Sequence, residues 1–292
     1  MENSFKLANW AITHSSQLNV KVTSMDWPKR LNLEVYDFEV SLCFNEKEYI
    51  GRGTDINSNV ALTKAIGESI ERFIIFENGL ETSNGVAIHT LSEAAISNSK
   101  IELYERSSFL SHYLTSSTFF HFPEEQIETD IYFKAKNFLN NLGIDLNLSL
   151  MKGFPGVYFT VCYAIGKNYR NPFGVVIGLG SAFKLQDSIL KSIFECLRTT
   201  MSIALTPHFN SITLEEFNRI EIYHPKDHQQ LALNTQYFDS ISDIFNFKMN
   251  YENLEKITDS ELYTIRVNEL KIPQIFGLHQ NKSGFQNDNC SF

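Results

Sequence analysis

Two stretches of this chain carry the same acidic signature. Glu68-Ser69-Ile70-Glu71-Arg72 and Glu102-Leu103-Tyr104-Glu105-Arg106 both read E-x-x-E-R, and a Gly-containing turn is expected ahead of each, at Gly51-Arg52-Gly53 and Ser83-Asn84-Gly85. Apolar residues keep helical spacing around both: Val60, Ala61, Ala65, Ile66, Ile70, Phe73 and Ile74 in the first, and Ile96, Ile101, Leu103, Phe109 and Leu110 in the second. The first helix is expected from a cap at Asn57 or Ser58 to Asn78, with Gly79 as its stop. The second is expected from near Ser92 to near Leu114. Two Glu at i and i+3 share one helix face. If the two helices face each other, four carboxylates converge, and they repel unless cations sit among them. Hard, oxygen-seeking Mg²⁺ suits such a place and would bridge to nucleotide phosphates. The Arg after each pair can neutralise a phosphate or hold a carboxylate. One E-x-x-E-R alone is an ordinary solvated helix face; the second copy is what weighs toward a site.

A third helix, from about Leu185 to Ile203, carries Glu195-Cys196-Leu197-Arg198, one acid with a base three positions later. It follows a Gly-rich lead-in, Gly178-Leu179-Gly180-Ser181. The rest reads as a mixture of elements. An amphipathic opening helix precedes strands, one of them from Asn32 to Phe44. Residues 115–130 read as a loop, 131–142 as a helix ending before Gly143, and 144–150 as a strand. Val157–Ile165 and Pro172–Ile177 form a hairpin turning at Tyr169-Arg170-Asn171. A short helix is expected near 213–219, a loop rich in His and Gln at 224–230, and a strand at 261–268. No short strict repeat or low-complexity segment stands out.

Composition narrows the classes. Net charge is −9, from 34 acidic and 25 basic residues, which argues against general nucleic-acid binding. No apolar run reaches the roughly 18 residues of a membrane helix, and the N-terminus lacks a signal-peptide pattern. The expectation is a soluble, cytoplasmic protein that binds neither nucleic acid nor membrane. Cys43, Cys162, Cys196 and Cys290 are scattered without zinc spacing and read as incidental thiols. The eight His residues are dispersed and read as surface or structural.

The three acidic segments, in order, resemble the YcaO family. GRGTDINSNVALTKAIGESIER is similar to the family's G-x-G turn and first E-x-x-E-R helix. SNGVAIHTLSEAAISNSKIELYER is similar to its S-N-G segment and second such helix. GLGSAFKLQDSILKSIFECLRTT is similar to its Gly-small segment and E-x-x-Q helix, and VNELKIPQIFG to the strand and Pro loop that follow. The resemblance spans roughly residues 30–280. It implies ATP and Mg²⁺ as cofactors, with Glu68, Glu71, Glu102 and Glu105 as the metal ligands. The same residues, with Arg72, Asn84, Arg106, Glu195 and Arg198, would bind the nucleotide. Lys64, Arg198 and Thr200 stand where the family often has Ser, Gln and Arg. The connection from Phe73 to Thr82 is much shorter than usual, and a proline-rich C-terminus is lacking.

The implied fold is α/β: mixed sheets flanked by helices, a YcaO-like single domain without part of the usual periphery. Its parts would be an N-terminal helix and strands (1–50), an ATP-binding core (51–281) and a flexible tail (282–292). The implied reaction is ATP-dependent activation of a peptide backbone amide. A substrate Cys, Ser or Thr side chain, or external sulfide, adds to the carbonyl, and phosphorylation turns the amide oxygen into a leaving group. The products would be azolines, thioamides or amidines in ribosomal peptide modification (RiPP biosynthesis). Holding the reactants in line and neutralising charge would be the protein's share. The expected partners are a peptide or protein substrate and a separate E1-like or substrate-delivering protein, with a homodimer as one assembly it allows. The alternative is a catalytically weak or inactive YcaO-like partner subunit of a modification complex.

Overall fold

The computed structural model describes residues 13, 18–79, 85–89, 91–116, 118–151, 156–206, 208–220, 225–245, 263–265 and 277–280. In chain order the elements are β1 (Lys21–Ser24), α1 (Trp27–Arg30), β2 (Tyr36–Phe44), β3 (Lys47–Asp55), α2 (Ser58–Glu77), β4 (Val86–His89), α3 (Ser92–Thr115), β5 (Phe120–His121), α4 (Asp130–Asn141), β6 (Asp145–Leu150), β7 (Tyr158–Gly166), β8 (Phe173–Ala182), α5 (Leu185–Leu205), α6 (Leu214–Phe217), α7 (Pro225–Ala232), α8 (Thr235–Ile241), β9 (Tyr263–Ile265) and β10 (Gly277–Gln280). The expected α/β architecture with helix-flanked sheets forms, and every strand pair among the described residues is antiparallel. The expected opening helix, Asn84 and the 282–292 tail lie outside the described residues.

The chain forms two compact units. The first takes residues 1–103 and 260–283, the second residues 104–259 and 284–292. Helix α3 contributes residues to both.

In the first unit, the sheet β1-β2-β3 is covered by α2. The β2–β3 hairpin turns at Asn45 and Glu46, both at positive φ (48° and 65°). A two-residue loop with both residues left-handed matches the twist of the strands it joins. Val40, Leu42 and Tyr49 of this hairpin pack with Ala65, Ile66, Ile70, Phe73 and Ile74 of α2. Helix α2 starts at Asn57, whose side chain accepts the N–H groups of Asn59 and Val60 at 3.0 and 3.3 Å. It ends before Gly79, at φ +60°. A separate small sheet has the order β4-β10-β9.

The second unit holds the four-stranded sheet β5-β6-β7-β8, with α5 packed on β7 and β8. Ser188 and Ser192 let α5 lie close to the sheet. Their hydroxyls meet Thr160 at 2.9 and 3.1 Å, so the buried polar groups are satisfied.

Several sequence expectations are corrected. Gly51-Arg52-Gly53 is not a turn; it lies within β3. A Cβ on Gly51 would fall 2.2 Å from the Ser69 nitrogen, and one on Gly53 would fall 2.1 Å from the Ala61 carbonyl oxygen. The glycines are there because α2 rests directly on the strand backbone. Gly178-Leu179-Gly180-Ser181 is likewise strand, with β8 running on to Ala182. A Cβ on Gly178 would meet the Cys196 nitrogen at 2.2 Å, and one on Gly180 the Ser188 oxygen at 2.1 Å. The strand expected from Asn32 begins only at Tyr36, since Asn32 sits at φ +52°. Residues 115–130 contain the short strand β5 and a 3₁₀ turn at Glu124–Gln126. The His- and Gln-rich segment forms helix α7, with Pro225 at its first position. Its burial of His228 and Leu231 supplies the stabilisation that polar composition hid.

The glycine pairs expose a relation that residue spelling conceals. The neighbours of Gly51 and Gly53 on α2 recur around Gly178 and Gly180 on α5 at a constant chain offset. Ala61, Ala65 and Ser69 correspond to Ser188, Ser192 and Cys196. Each unit therefore contains the same device: an antiparallel hairpin, a G-x-G edge strand and a helix seated on the two glycines.

Candidate functional site

The duplicated device places one carboxylate in each unit. β3 and β8 are edge strands, so alternate N–H groups point away from the sheet. The Arg52 N–H donates to Glu68 Oε2 at 2.9 Å, and the Leu179 N–H donates to Glu195 Oε2 at 2.7 Å. In both cases carboxylate and amide are 16 residues apart. The middle residue of G-x-G thus fixes the first acid of each helix motif.

In the first unit, Glu68 is held from both sides, since its Oε1 also accepts from Arg72 Nη2 at 2.6 Å. The Arg52 side chain turns the other way, to buried Asp37 at 2.9 Å. Asp37 also accepts from Trp27 Nε1 and Thr54 Oγ1, at 2.6 and 2.8 Å. Glu71, one turn beyond Glu68, has a carboxyl pushed well above the usual range. Burial is the largest cause, followed by the charges of Glu102 and Glu68, while Arg72 acts against them. Glu68, Glu71, Arg72 and Glu102 are thus brought together: three acids facing one base.

In the second unit, Glu105 is buried, at 7% exposure. Its carboxyl is also pushed up, chiefly by burial and further by Glu195; Arg106, a Ser181 hydrogen bond and Lys191 pull it down. Arg106 Nη2 lies 3.8 Å from Glu195 Oε1. Arg198, one turn beyond Glu195, lines a cavity of about 300 Å³ with Arg106, Lys226, Glu195 and an apolar wall that includes Phe109, Val175 and Leu179. Asn84 is outside the described residues.

An oxygen-only donor set whose acids repel one another fits Mg²⁺. No group of three or more His, Cys, Asp or Glu among the described residues forms a metal cage by itself.

The sequence places the chain among known proteins. A sequence model of the family described as YcaO cyclodehydratase, ATP- and Mg²⁺-binding, matches residues 76–274. The chain belongs to the YcaO family. The matched span includes Glu102, Glu105, Arg106, Glu195 and Arg198, and begins just after Glu68 and Glu71. Comparison with curated proteins finds no match. Among solved structures, the fold resembles YcaO from Methanopyrus kandleri bound with AMPPCP and Mg²⁺, with TM-score 0.61, 10% identity, and coverage of 96% of this chain and 90% of that one. It also resembles a heterocyclase in complex with substrate and cofactor, with TM-score 0.62 and 10% identity. There it covers 94% of this chain but only 51% of the heterocyclase. A third similar structure is the E. coli microcin synthetase McbBCD complex with pro-MccB17, with TM-score 0.56, 13% identity, and coverage of 89% and 85%. No helix among the described residues is long and apolar enough to cross a membrane.

Sequence reasoning missed the Arg52 and Leu179 amides and Lys226. The equal 16-residue spacing from each G-x-G to its acid was the available signal for the amides. Nothing in the sequence marked Lys226, which reaches the cavity from a segment read as a loop.

Proposed function

We propose that this YcaO protein uses ATP and Mg²⁺ to activate a backbone amide of a peptide substrate, leading to an azoline or a thioamide. The observation that carries the reading is the crowding of Glu71 by Glu102 and Glu68 in a chain of an ATP- and Mg²⁺-binding family. Carboxylates left to repel one another are an arrangement that a divalent cation relieves.

In this reading Glu68, Glu71, Glu102 and Glu105 hold the metal, and Arg72, Asn84, Arg106 and Glu195 serve the nucleotide. ATP supplies the phosphoryl group that makes the amide oxygen a leaving group. The chain's own residues orient and neutralise. Arg52 N–H and Arg72 fix Glu68, and Leu179 N–H fixes Glu195, so both acids are set in place before any ligand arrives.

Titration of the protein with a Mg²⁺-bound non-hydrolysable ATP analogue, followed by ATP turnover with candidate peptides, tests the reading. A mass change in the peptide that requires ATP supports it: loss of water for an azoline, exchange of oxygen for sulfur for a thioamide. Nucleotide binding without turnover, alone or with products of neighbouring genes, would instead assign the chain to the inactive partner role. Absence of nucleotide binding would sink both. The short Phe73–Thr82 connection leads us to expect slow ATP hydrolysis by the isolated chain and faster hydrolysis with a substrate-delivering partner.

A further inference from the structure

The first unit buries a charge behind its G-x-G strand, and the second unit does not. Asp37 is 1% exposed and, with Glu105, is one of two acids buried among the described residues. It lies on the face of β2 turned away from α2, because Phe38, Val40 and Leu42 pack toward that helix. There its carboxylate serves the neighbouring strand. Oδ2 accepts from Arg52 Nη2 at 2.9 Å and Oδ1 accepts from Thr54 Oγ1 at 2.8 Å, while Trp27 Nε1 donates to Oδ2 at 2.6 Å.

Arg52 and Thr54 are also the two residues by whose main chain α2 grips the strand edge. The Arg52 N–H donates to Glu68, and the Thr54 carbonyl accepts from Lys64 Nζ at 3.3 Å. One carboxylate behind the strand thus holds both residues that anchor an acid and a base at its edge. We propose that Asp37 is a positioning residue for the metal site: through Arg52 and Thr54 it sets the strand edge against which Glu68 is oriented. This rests on the Mg²⁺- and ATP-binding reading above and adds a residue that touches neither ligand.

The second unit shows what is particular to the arrangement. Its edge is gripped in the same way, with Leu179 N–H on Glu195 and the Ser181 carbonyl on Lys191 Nζ at 2.7 Å. Lys64 to Thr54 and Lys191 to Ser181 are each 10 residues apart. Across the strand pair, however, Leu179 and Ser181 face Val161 and Phe159, both exposed by 1% or less, where Arg52 and Thr54 face Glu39 and Asp37. Apolar packing holds a strand pair at least as firmly as a buried ion pair, whose desolvation offsets much of its attraction. What apolar contact lacks is direction. Glu68 needs it more than Glu195 does. Arg72 draws on the second oxygen of Glu68 at 2.6 Å, whereas Arg106 stands 3.8 Å from that of Glu195.

The test compares Asp37→Asn, which keeps the shape and removes the charge that Arg52 meets, with Thr54→Val, which removes one bond and leaves Asp37 paired. Each is made in the parent and in Glu68→Gln. Calorimetric titration with Mg²⁺ and a non-hydrolysable ATP analogue should show Asp37→Asn binding about tenfold more weakly, the scale on which outer-shell partners of a metal act. Thr54→Val should lose less. In Glu68→Gln neither change should weaken binding further, since residues that act through one another are not additive. The core variant Leu139→Ala, in the second unit, controls for lost stability: its urea midpoint should fall while its affinity stays parental. Full affinity in Asp37→Asn overturns the proposal, and so does a loss of equal size with and without Glu68. If Asp37→Asn does not fold, Thr54→Val decides by the same comparison. Urea midpoints of the single and double variants give a reading without ligand. Their shifts should depart from additivity, and additive shifts overturn the relay from Asp37 to Glu68. These midpoints decide alone where Glu68→Gln binds too weakly to titrate. A parent that binds no nucleotide sinks the ATP reading, and the midpoints still report whether Asp37 positions Glu68.

Discussion

Glu195 accepts the backbone N–H of Leu179 at 2.7 Å, closing the open side of an edge strand with the first acid of the third helix motif. The same carboxylate opposes Arg106, so one side chain joins sheet edge, helix and basic group. Glu195→Ala removes the acceptor and should destabilise the protein by about 1–3 kcal/mol, the cost of stranding a partly buried donor. Glu195→Gln keeps an acceptor oxygen and should recover part of that loss. Urea denaturation of the three proteins checks the order.

The glycines beneath the helices tolerate no side chain. Gly53→Ala and Gly180→Ala each put a Cβ about 2.1 Å from a helix carbonyl oxygen. Backbone cannot swing aside as a side-chain tip can, so each change should cost about 3 kcal/mol or more, at or beyond the upper end of ordinary overpacking. Gly79→Ala has open space but a φ of +60°, so it should cost only about 1 kcal/mol. A ranking of melting temperatures that puts the Gly79 variant lowest would contradict the close-approach account.

Glu71 and Glu105 make the metal-free protein sensitive to pH. Both have carboxyls raised above the ordinary 4.5 by burial and by neighbouring acids. A raised acid favours the folded state while it is protonated, and this contribution fades as pH climbs from 4.5 through the raised folded value. The metal-free protein should therefore lose stability as pH rises through that range, and Glu71→Gln should flatten the loss. Mg²⁺ needs the ionised form, so its affinity should rise over the same interval. Melting curves in chelator and in Mg²⁺, taken at stepped pH, should converge toward acid and diverge toward neutrality.

Glu71→Gln and Glu105→Gln keep the side-chain volume and remove one charge each from the proposed metal ligands. Each should weaken binding of a Mg²⁺–ATP analogue by about tenfold or more, the scale on which even outer-shell partners of a metal act. The metal-free variants should remain folded, with Glu71→Gln more stable than the parent at neutral pH. Calorimetric titration gives the affinities; unchanged binding in both variants would remove these residues from the site.

Much of this was open to sequence reading because helices announce themselves by period and cap. Ser58–Glu77 follows Asn57 and stops at Gly79 as the pattern requires, and Ser92–Thr115 carries its acids where expected. The glycines misled for a physical reason. Gly51 and Gly53 satisfy turn chemistry in isolation, and only the helix lying on them, brought by later residues, explains their lack of a side chain. Residues 224–230, His228 among them, read as loop because a short helix with few apolar residues has little period to detect; burial of His228 and Leu231 stabilises it. Lys226 joined the cavity through tertiary packing, which no local pattern encodes.

The identical 16-residue reach from amide to carboxylate in both halves acts as a ruler built into the chain. Helix length, strand pleat and the two bare glycines together set it, so an insertion anywhere between Arg52 and Glu68, or between Leu179 and Glu195, would break the link. In relatives too diverged for ordinary alignment, a G-x-G whose central residue meets an acid at this fixed interval would therefore mark each half. The residue three places further on would tell which half had kept its negative charge.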